Sequence, residues 1–278
     1  MHHRLAYHYP IPVTLGPQRL HLFPRLSHNQ RLVHHQLSIS PMPYKQFSAL
    51  DAEGNTAHWV YFEGLAEHLV IDQDLRVESR QYNPFDFLIY PFETVRLPIV
   101  YPDQLLQPLS PYFPSHPPKG MVAEWASAIR TEAGSQTLDF LLMVCERLKK
   151  EFTYAAREKG PPHPPEETLV ARRGSCRDLS WLMVAACQHV GLAARFVSGY
   201  AWSTEDISNH DLHAWVEVYL PGAGWRGFDP TLGSPVTANH VALAASVHPQ
   251  LTAPLSGAYF GGAASELKTS VQLRLLDL

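Results

Sequence analysis

The sequence predicts an α+β fold, in which an N-terminal antiparallel β-sandwich domain precedes a core of helices packed on an antiparallel sheet. Three observations predict this fold. Residues 4–96 contain short runs that alternate between apolar and polar side chains. Eight prolines then lie between Pro91 and Pro118. After them, apolar residues recur first at the spacing of helices and later at the two-residue spacing of strands.

Residues 1–96 are predicted to form an all-β domain. The runs LVHHQLSI, TAHWVYFEG and EHLVIDQDLRVES are separated by the turn segments SPMP and DAEGN. No helical pattern of comparable strength interrupts them, which is typical of a sandwich or a barrel. The histidines of this region lack the spacing of metal ligands, so we expect surface or strand positions for His2, His3, His8, His21, His28, His34 and His35.

Residues 97–119 are predicted to be a proline-rich linker, which leaves residues 120–278 as the second domain. The linker ends in QPLSPYFPSHPPKG. Proline has no amide hydrogen and its ring clashes with a preceding helical turn, so this segment can form neither a long helix nor a central strand. We expect it to run along a surface.

Three helices are predicted in the second domain. The first two are MVAEWASAIR and SQTLDFLLMVCERLKKEFTY, and Ser135 or Thr137 is available as an N-cap of the second. The third runs from about Cys176 to Val190, because apolar residues recur there at intervals of three and four. Gly191 is its expected C-terminal stop.

The helices are followed by predicted antiparallel strands. They are ARFVSGYAW, LHAWVEVYL and WRGFDPT, the last two joined by the turn PGAG. A strictly alternating run from Leu267 to Leu275 is expected to be the last strand of this domain. The second domain is thus predicted to be helices followed by a sheet.

The composition limits the classes of partner. The 278 residues carry a net charge of -4 and contain no dense run of Lys and Arg, so no binding to nucleic acid or to an anionic membrane is expected. The chain also lacks a signal-peptide pattern and a long apolar run, and we expect a soluble, cytoplasmic protein. Three cysteines are too few for a disulfide scaffold, so free thiols are expected.

Cys176 is the candidate nucleophile. Its neighbours in RRGSCRD are polar and positive, and it lies at the predicted start of a helix. The unpaired N–H groups and the dipole of a helix start favour the thiolate, which is the reactive form of cysteine. Cys145 and Cys187 lie within apolar helix patterns instead, so they are expected in the core.

His213 and Asp229 are the candidates for the base and its orienting partner. His213 begins a predicted strand, and alternation places it on the face opposite Ala214 and the aliphatic residues that follow. The PGAG turn brings Asp229 back beside this strand, where a carboxylate can hold the imidazole. Asp211 is a weaker candidate for that role, and His210 is expected to be a surface residue of a loop.

A zinc site is the competing interpretation of the same residues, since Cys, His and Asp all bind zinc. Such a site needs a fourth ligand or a paired CxxC motif, and the sequence has neither in this region. No metal and no cofactor are therefore expected.

The segments RRGSCRDLSWLMVAACQHVGLAARFVSGY and DLHAWVEVYLPGAGWRGFDPT resemble the core of the transglutaminase-like superfamily. The resemblance extends from about Thr168 to Gly233 and includes Gly-x-Cys, His-Ala-Trp and Asp-Pro-Thr. The all-β first half resembles the N-terminal domain of bacterial members, and the tail resembles their C-terminal end. Where bacterial members often have Gly-Arg-Asp-Tyr, this chain reads LAASVHPQL, so no role is inferred for that segment.

The resemblance implies a papain-like core with Cys176 as nucleophile, His213 as general acid and base, and Asp229 as the residue that orients His213. It implies acyl transfer from the amide carbonyl of a protein or peptide substrate. Hydrolysis by a cysteine peptidase or amidase is the leading interpretation. Transglutaminase cross-linking and an inactive binding or scaffold protein are the alternatives. The backbone N–H of Cys176 is one candidate oxyanion donor, and the sequence does not identify a second.

Overall fold

The computed structural model describes residues 1–25, 29–114, 119–157, 159–203, 211–262 and 264–276. The expectations for His28 and His210 therefore lie outside the described residues. In chain order the strands are β1 (His2–Leu20), β2 (Gln30–Ser40), β3 (Lys45–Leu50), β4 (Thr56–Tyr61), β5 (Leu65–Ser79), β6 (Thr153–Tyr154), β7 (Arg173–Gly174), β8 (Ala194–Ala201), β9 (His213–Leu220), β10 (Gly224–Asp229), β11 (Ser234–Pro235), β12 (His240–Ser246), β13 (Leu255–Phe260) and β14 (Glu266–Gln272). The α-helices are α1 (Asp103–Leu109), α2 (Met121–Glu132), α3 (Thr137–Glu151), α4 (Pro165–Ala171) and α5 (Cys176–His189).

The N-terminal half forms one antiparallel sheet around the long strand β1, with the order β2-β5-β1-β4-β3. The register of β1 against β5 shifts between His8 and Val13, and such an irregularity lets a long strand bend. Buried residues along β1, including Leu5, Val13 and Leu20, belong to one core cluster. The predicted all-β character of this half is confirmed.

The C-terminal strands also pair with β1, which corrects the expected place of the last strand. The run predicted from Leu267 to Leu275 forms β14, and it pairs antiparallel with β1 from His2 to His8. Strand β13 pairs with the second half of β1. An alternating pattern predicts a strand but does not indicate which strand it pairs with. Here the pairing is with β1, whose edge has backbone groups that need hydrogen-bond partners. The boundaries at residues 96 and 119 stay predictions.

The proline-rich segment packs against the second domain. Leu97, Ile99 and Tyr101 are buried in its core. The Tyr101 hydroxyl donates a hydrogen bond to the Tyr219 carbonyl at 3.0 Å and accepts one from the Ala193 N–H at 3.0 Å. The segment contains the short helix α1 and no long helix or central strand among its described residues, as proline requires.

The second domain contains a five-stranded antiparallel sheet with the order β11-β10-β9-β8-β12. Helix α5 packs against β9, so Leu182 and Met183 share one core with Val216 and Val218. Trp215, on the other face of β9, belongs to a separate cluster. The three helices predicted for this domain and the strands β8, β9 and β10 are confirmed, and the mixed α+β fold is the one predicted from the sequence.

The N-cap expected for α3 is wrong. Gln136 is the capping residue, its backbone is extended, and its side chain makes no capping hydrogen bond. The Thr137 hydroxyl donates instead to the Thr94 carbonyl at 3.1 Å, and Ser135 adopts a left-handed backbone with a φ of 57°. A contact with a segment 43 residues away thus draws the threonine into the core.

Candidate active site

Cys176 is the first residue of α5, and the segment before it holds the helix start rigidly. The Ser175 backbone N–H and hydroxyl both donate to Asp178 Oδ2, at 2.8 and 2.7 Å. The first of these contacts belongs to a capping box, in which the Ser175 hydroxyl also accepts from the Asp178 backbone N–H, and which satisfies backbone groups left unpaired at a helix start. A Cβ atom at Gly174 would lie 2.8 Å from the Asp178 Cβ, so packing of this carboxylate requires glycine there.

Asp178 also ties the preceding loop to the helix start. Its Oδ1 accepts hydrogen bonds from the Arg157 guanidinium at 2.6 Å and from the His163 N–H at 2.8 Å. Burial raises the pKa of Asp178, but the hydrogen bonds from His163 and Ser175 and the charge of Arg157 outweigh burial and lower it. Asp178 is therefore an anion that joins three segments around Cys176.

His213 and Asp229 form a buried hydrogen-bonded pair. His213 is the first residue of β9 and Asp229 the last residue of β10, and the antiparallel register brings them together. The His213 Nε2 lies 2.7 Å from the Asp229 Oδ2, and both side chains are almost fully buried. The backbone N–H groups of Thr231 and Leu232 donate to the other carboxylate oxygen, at 2.9 and 3.1 Å.

The charges of this pair stabilise each other. Burial lowers the pKa of His213, but the charge and hydrogen bond of Asp229, with a smaller contribution from Cys176, raise it to about 10. Burial raises the pKa of Asp229, but the charge and hydrogen bond of His213 and the contacts with His240 hold it well below its usual range. His213 is therefore an imidazolium and Asp229 a carboxylate at neutral pH.

Cys176 lies within reach of the His213 ring. Its hydrogen bond and charge interaction with the imidazole both contribute to the raised pKa of His213. Because Asp229 occupies Nε2, the ring nitrogen left for the thiol is Nδ1. The Cys176 Sγ also lies 4.0 Å from the Leu212 carbonyl oxygen. The structure thus brings together all three residues that the sequence suggested.

The other two cysteines are fully buried and free, as predicted. Burial is the main cause that raises the pKa of the Cys145 thiol and that of the Cys187 thiol. Neither is suited to act as a nucleophile, because the thiolate is the reactive species.

Tyr154 is a site residue that the sequence did not reveal. It was expected at the end of a helix, but α3 ends at Glu151 and Tyr154 lies in β6, beside Gly174 of the parallel strand β7. Burial raises its pKa, and the charge and hydrogen bond of Cys176 raise it further. The hydroxyl therefore keeps its proton beside the thiol. An aromatic residue in EFTY carries no chemical signal of this position.

His240, the first residue of β12, is a second missed residue. Its Nε2 lies 3.0 Å from the same oxygen of Asp229 that receives the bond from His213. The segment SPVTANHVAL contains no motif that would mark this contact. Asp211, the weaker candidate from the sequence, is exposed, and its charge contributes to the raised pKa of Tyr154.

A cavity of about 410 Å³ lies next to residues that contact the His213–Asp229 pair. Trp215 and His240 line it together with Arg195, Glu217 and Trp225, whereas Cys176, His213 and Asp229 do not. Among the described residues, no three His, Cys, Asp or Glu side chains are placed to hold a metal ion. Within the same part of the chain, no helix has the length and apolar character to span a membrane.

Comparison with known proteins finds matches to both halves of the chain. The transglutaminase-like superfamily matches residues 123–230, and the bacterial transglutaminase-like N-terminal region matches residues 1–78. An uncharacterised protein of Mycobacterium tuberculosis is 30% identical over 250 residues, which cover 82% of this chain and 77% of that protein. An uncharacterised protein of Mycobacterium leprae is 22% identical over 282 residues, which cover 99% and 97% of the two chains.

A solved structure shares the fold. The crystal structure of a candidate cysteine protease from Cytophaga hutchinsonii matches with a TM-score of 0.69 and 19% identity. The match covers 99% of this chain and 91% of that chain, so it includes both the N-terminal sheet and the second domain.

Proposed function

The chain belongs to the transglutaminase-like superfamily, and from this premise we propose that it hydrolyses amide bonds as a cysteine peptidase or amidase. The observation that supports the proposal most is the buried His213–Asp229 pair beside a thiol at a helix start. A thiol, an imidazole and an orienting carboxylate are the groups that covalent catalysis on a carbonyl requires.

The first half-reaction would form a thioester. In the resting site His213 already holds the proton of the Cys176 thiol, and the Cys176 Sγ attacks the carbonyl carbon of the amide as the thiolate. The carbonyl π electrons move onto oxygen. When the tetrahedral intermediate collapses, the C–N bond breaks, and His213 donates its proton to the leaving amine. A buried imidazolium with a raised pKa holds this proton until the leaving group accepts it.

Two donors would stabilise the oxyanion. The backbone N–H of Cys176 has no partner within the helix because it belongs to the first helical residue, where the helix dipole also favours negative charge. The Tyr154 hydroxyl lies beside the thiol and keeps its proton. We assign Tyr154 as the second donor, because preorganised hydrogen-bond donors at the developing charge lower the barrier of acyl transfer.

The second half-reaction would release the acid. Water attacks the thioester carbonyl while His213 accepts one of its protons, and the C–S bond then breaks to regenerate Cys176. A primary amine in place of water would give transamidation by the same steps. The cytoplasmic location and the protein or peptide substrate expected from the sequence stay proposals.

An acceptor assay tests the proposal. Glutamine-containing and simple peptide amides are supplied with and without a primary amine, and mass spectrometry measures the free acid and the amine adduct together. We expect mostly free acid from the wild type and none from Cys176→Ala, whereas Cys187→Ala, in the same helix, keeps activity. Mostly adduct would establish a transglutaminase, and no turnover by folded protein would favour an inactive scaffold.

A further inference from the structure

The hydrogen bonds of His240 place a second imidazole behind the catalytic carboxylate. His240 Nε2 and His213 Nε2 approach the same oxygen of Asp229, at 3.0 and 2.7 Å. The other oxygen receives the two backbone N–H groups of Thr231 and Leu232. Asp229 thus receives four hydrogen bonds, and the two from imidazoles converge on one atom.

The tautomer of His240 follows from its second contact. The Thr237 backbone N–H donates to His240 Nδ1 at 3.2 Å. A backbone N–H can only donate, so Nδ1 carries a lone pair, and the ring proton must be on Nε2. His240 is therefore a neutral imidazole whose N–H points at Asp229, whereas His213 is the charged one.

Packing holds His240 in this orientation. The ring is almost fully buried, and its centroid lies 5.2 Å from that of Trp215 at an interplanar angle of 80°. Its backbone N–H donates to the Thr237 carbonyl at 3.1 Å, which closes a tight turn at the start of β12. The donor to Asp229 is thus fixed from both its ring and its backbone.

We propose that His240 is a positioning residue, which keeps the Asp229 carboxylate oriented toward His213 through its Nε2–H. Without His240, only the two backbone N–H groups and the His213 ring would hold the Asp229 carboxylate, and the carboxylate could rotate away from His213. The second imidazole removes that freedom and stabilises the negative charge of Asp229 without adding a positive charge that would compete with His213. This role rests on the proposed function of Cys176, His213 and Asp229.

Two substitutions separate this role from a structural one. An asparagine oxygen can replace Nδ1, so His240→Asn keeps the contact with Thr237 and loses the contact with Asp229. A glutamine amide can replace Nε2, so His240→Gln keeps the contact with Asp229 and loses the turn contact. A positioning role predicts damage in the first variant, and a purely structural role predicts it in the second.

The measurements are the rate of iodoacetamide alkylation at Cys176, kcat and KM on a peptide amide, and the melting temperature. For His240→Asn we expect alkylation and kcat to fall about 10- to 100-fold with little change in KM, the range for loss of a hydrogen bond to a charged group. For His240→Gln we expect the alkylation rate and kcat to stay within about threefold of the wild-type values. His248→Asn, an exposed histidine eight residues later, is the matched control.

Three results would overturn the proposal. The first is alkylation and kcat at the wild-type level in His240→Asn, and the second is a loss in His240→Gln as large as that in His240→Asn. The third is a His240 ring that carries its proton on Nδ1 in the wild type. The tautomer is read by nitrogen NMR of the imidazoles, which stays decisive if a variant does not fold. Alkylation needs no substrate, so it tests His240 even where the wild type turns over no amide. Absence of turnover would count against the proposed hydrolysis alone.

Discussion

Replacing Asp229 by asparagine tests the charge pairing on which the proposed chemistry depends. Asp229 accepts four N–H donors, two on each oxygen. An asparagine amide must place its NH₂ group against one of these donor pairs, so either orientation sets donors against donors. The variant loses both the counter-charge of His213 and the geometry that aligns it.

The size of the effect follows from the pKa of His213. Asp229 is the main cause that raises this pKa to about 10, against the opposing effect of burial. Without the carboxylate, burial is the largest remaining effect and is opposed by the smaller contribution of Cys176, so the pKa should fall to the ordinary value of about 6.5 or below it. At pH 8 about 3% of His213 or less is then protonated in the variant, whereas nearly all of His213 is protonated in the wild type. The variant therefore loses at least about 30-fold in kcat/KM.

The assay is the pH dependence of kcat/KM on a peptide amide, whose basic limb reports loss of the His213 proton in the free enzyme. We expect the limb near pH 10 in the wild type and at or below about 6.5 in Asp229→Asn. Asp139→Asn, an exposed residue of α3, is the matched control. An unchanged basic limb in Asp229→Asn, or a loss confined to Asp211→Asn, would refute the reasoning.

Three further outcomes are expected. Iodoacetamide should alkylate Cys176 in the folded protein while Cys145 and Cys187, which are fully buried, react only after unfolding; peptide mass mapping that finds equal labelling would contradict this. Tyr154→Phe should lower kcat about 100-fold with little change in KM, as expected for loss of one oxyanion donor, and an unchanged kcat in steady-state kinetics would exclude the assignment. Asp178→Asn should lower the free energy of unfolding by about 3 kcal/mol in urea titrations at pH 7. The pKa of Asp178 is lower in the folded state than in the unfolded state, so its contribution to the free energy of unfolding is fully present above the unfolded-state pKa. This contribution is lost as the pH falls through the folded-state pKa. The unfolding free energies of the variant and the wild type should therefore become equal in strong acid.

The candidate triad could be predicted because each member is marked locally. Cys176 follows polar residues and begins an apolar helical repeat, His213 begins an alternating run, and Asp229 follows a tight turn. These are short-range properties of the chain, and a hairpin brings its two strands together whatever lies elsewhere. The order of the elements therefore already implied that Asp229 returns beside His213.

The supporting residues could not be found in the same way. Tyr154 reaches the thiol through a parallel pair between two-residue strands, and His240 reaches Asp229 across the sheet from the strand at its far side. A tyrosine or a histidine in a short polar segment has the same local pattern whether it lies in solvent or against a catalytic group.

The sequence alone determined helices α2, α3 and α5, most of the long strands, the helix start at Cys176 and the likeness to a family, because capping, periodicity and turns act over a few residues. Tertiary structure decided which segments meet. It placed β14 on β1 instead of the second sheet, drew Thr137 to Thr94, and turned a second imidazole onto Asp229. Those contacts join residues far apart in the chain, where hydrogen-bonding groups removed from water must find partners that no local pattern specifies.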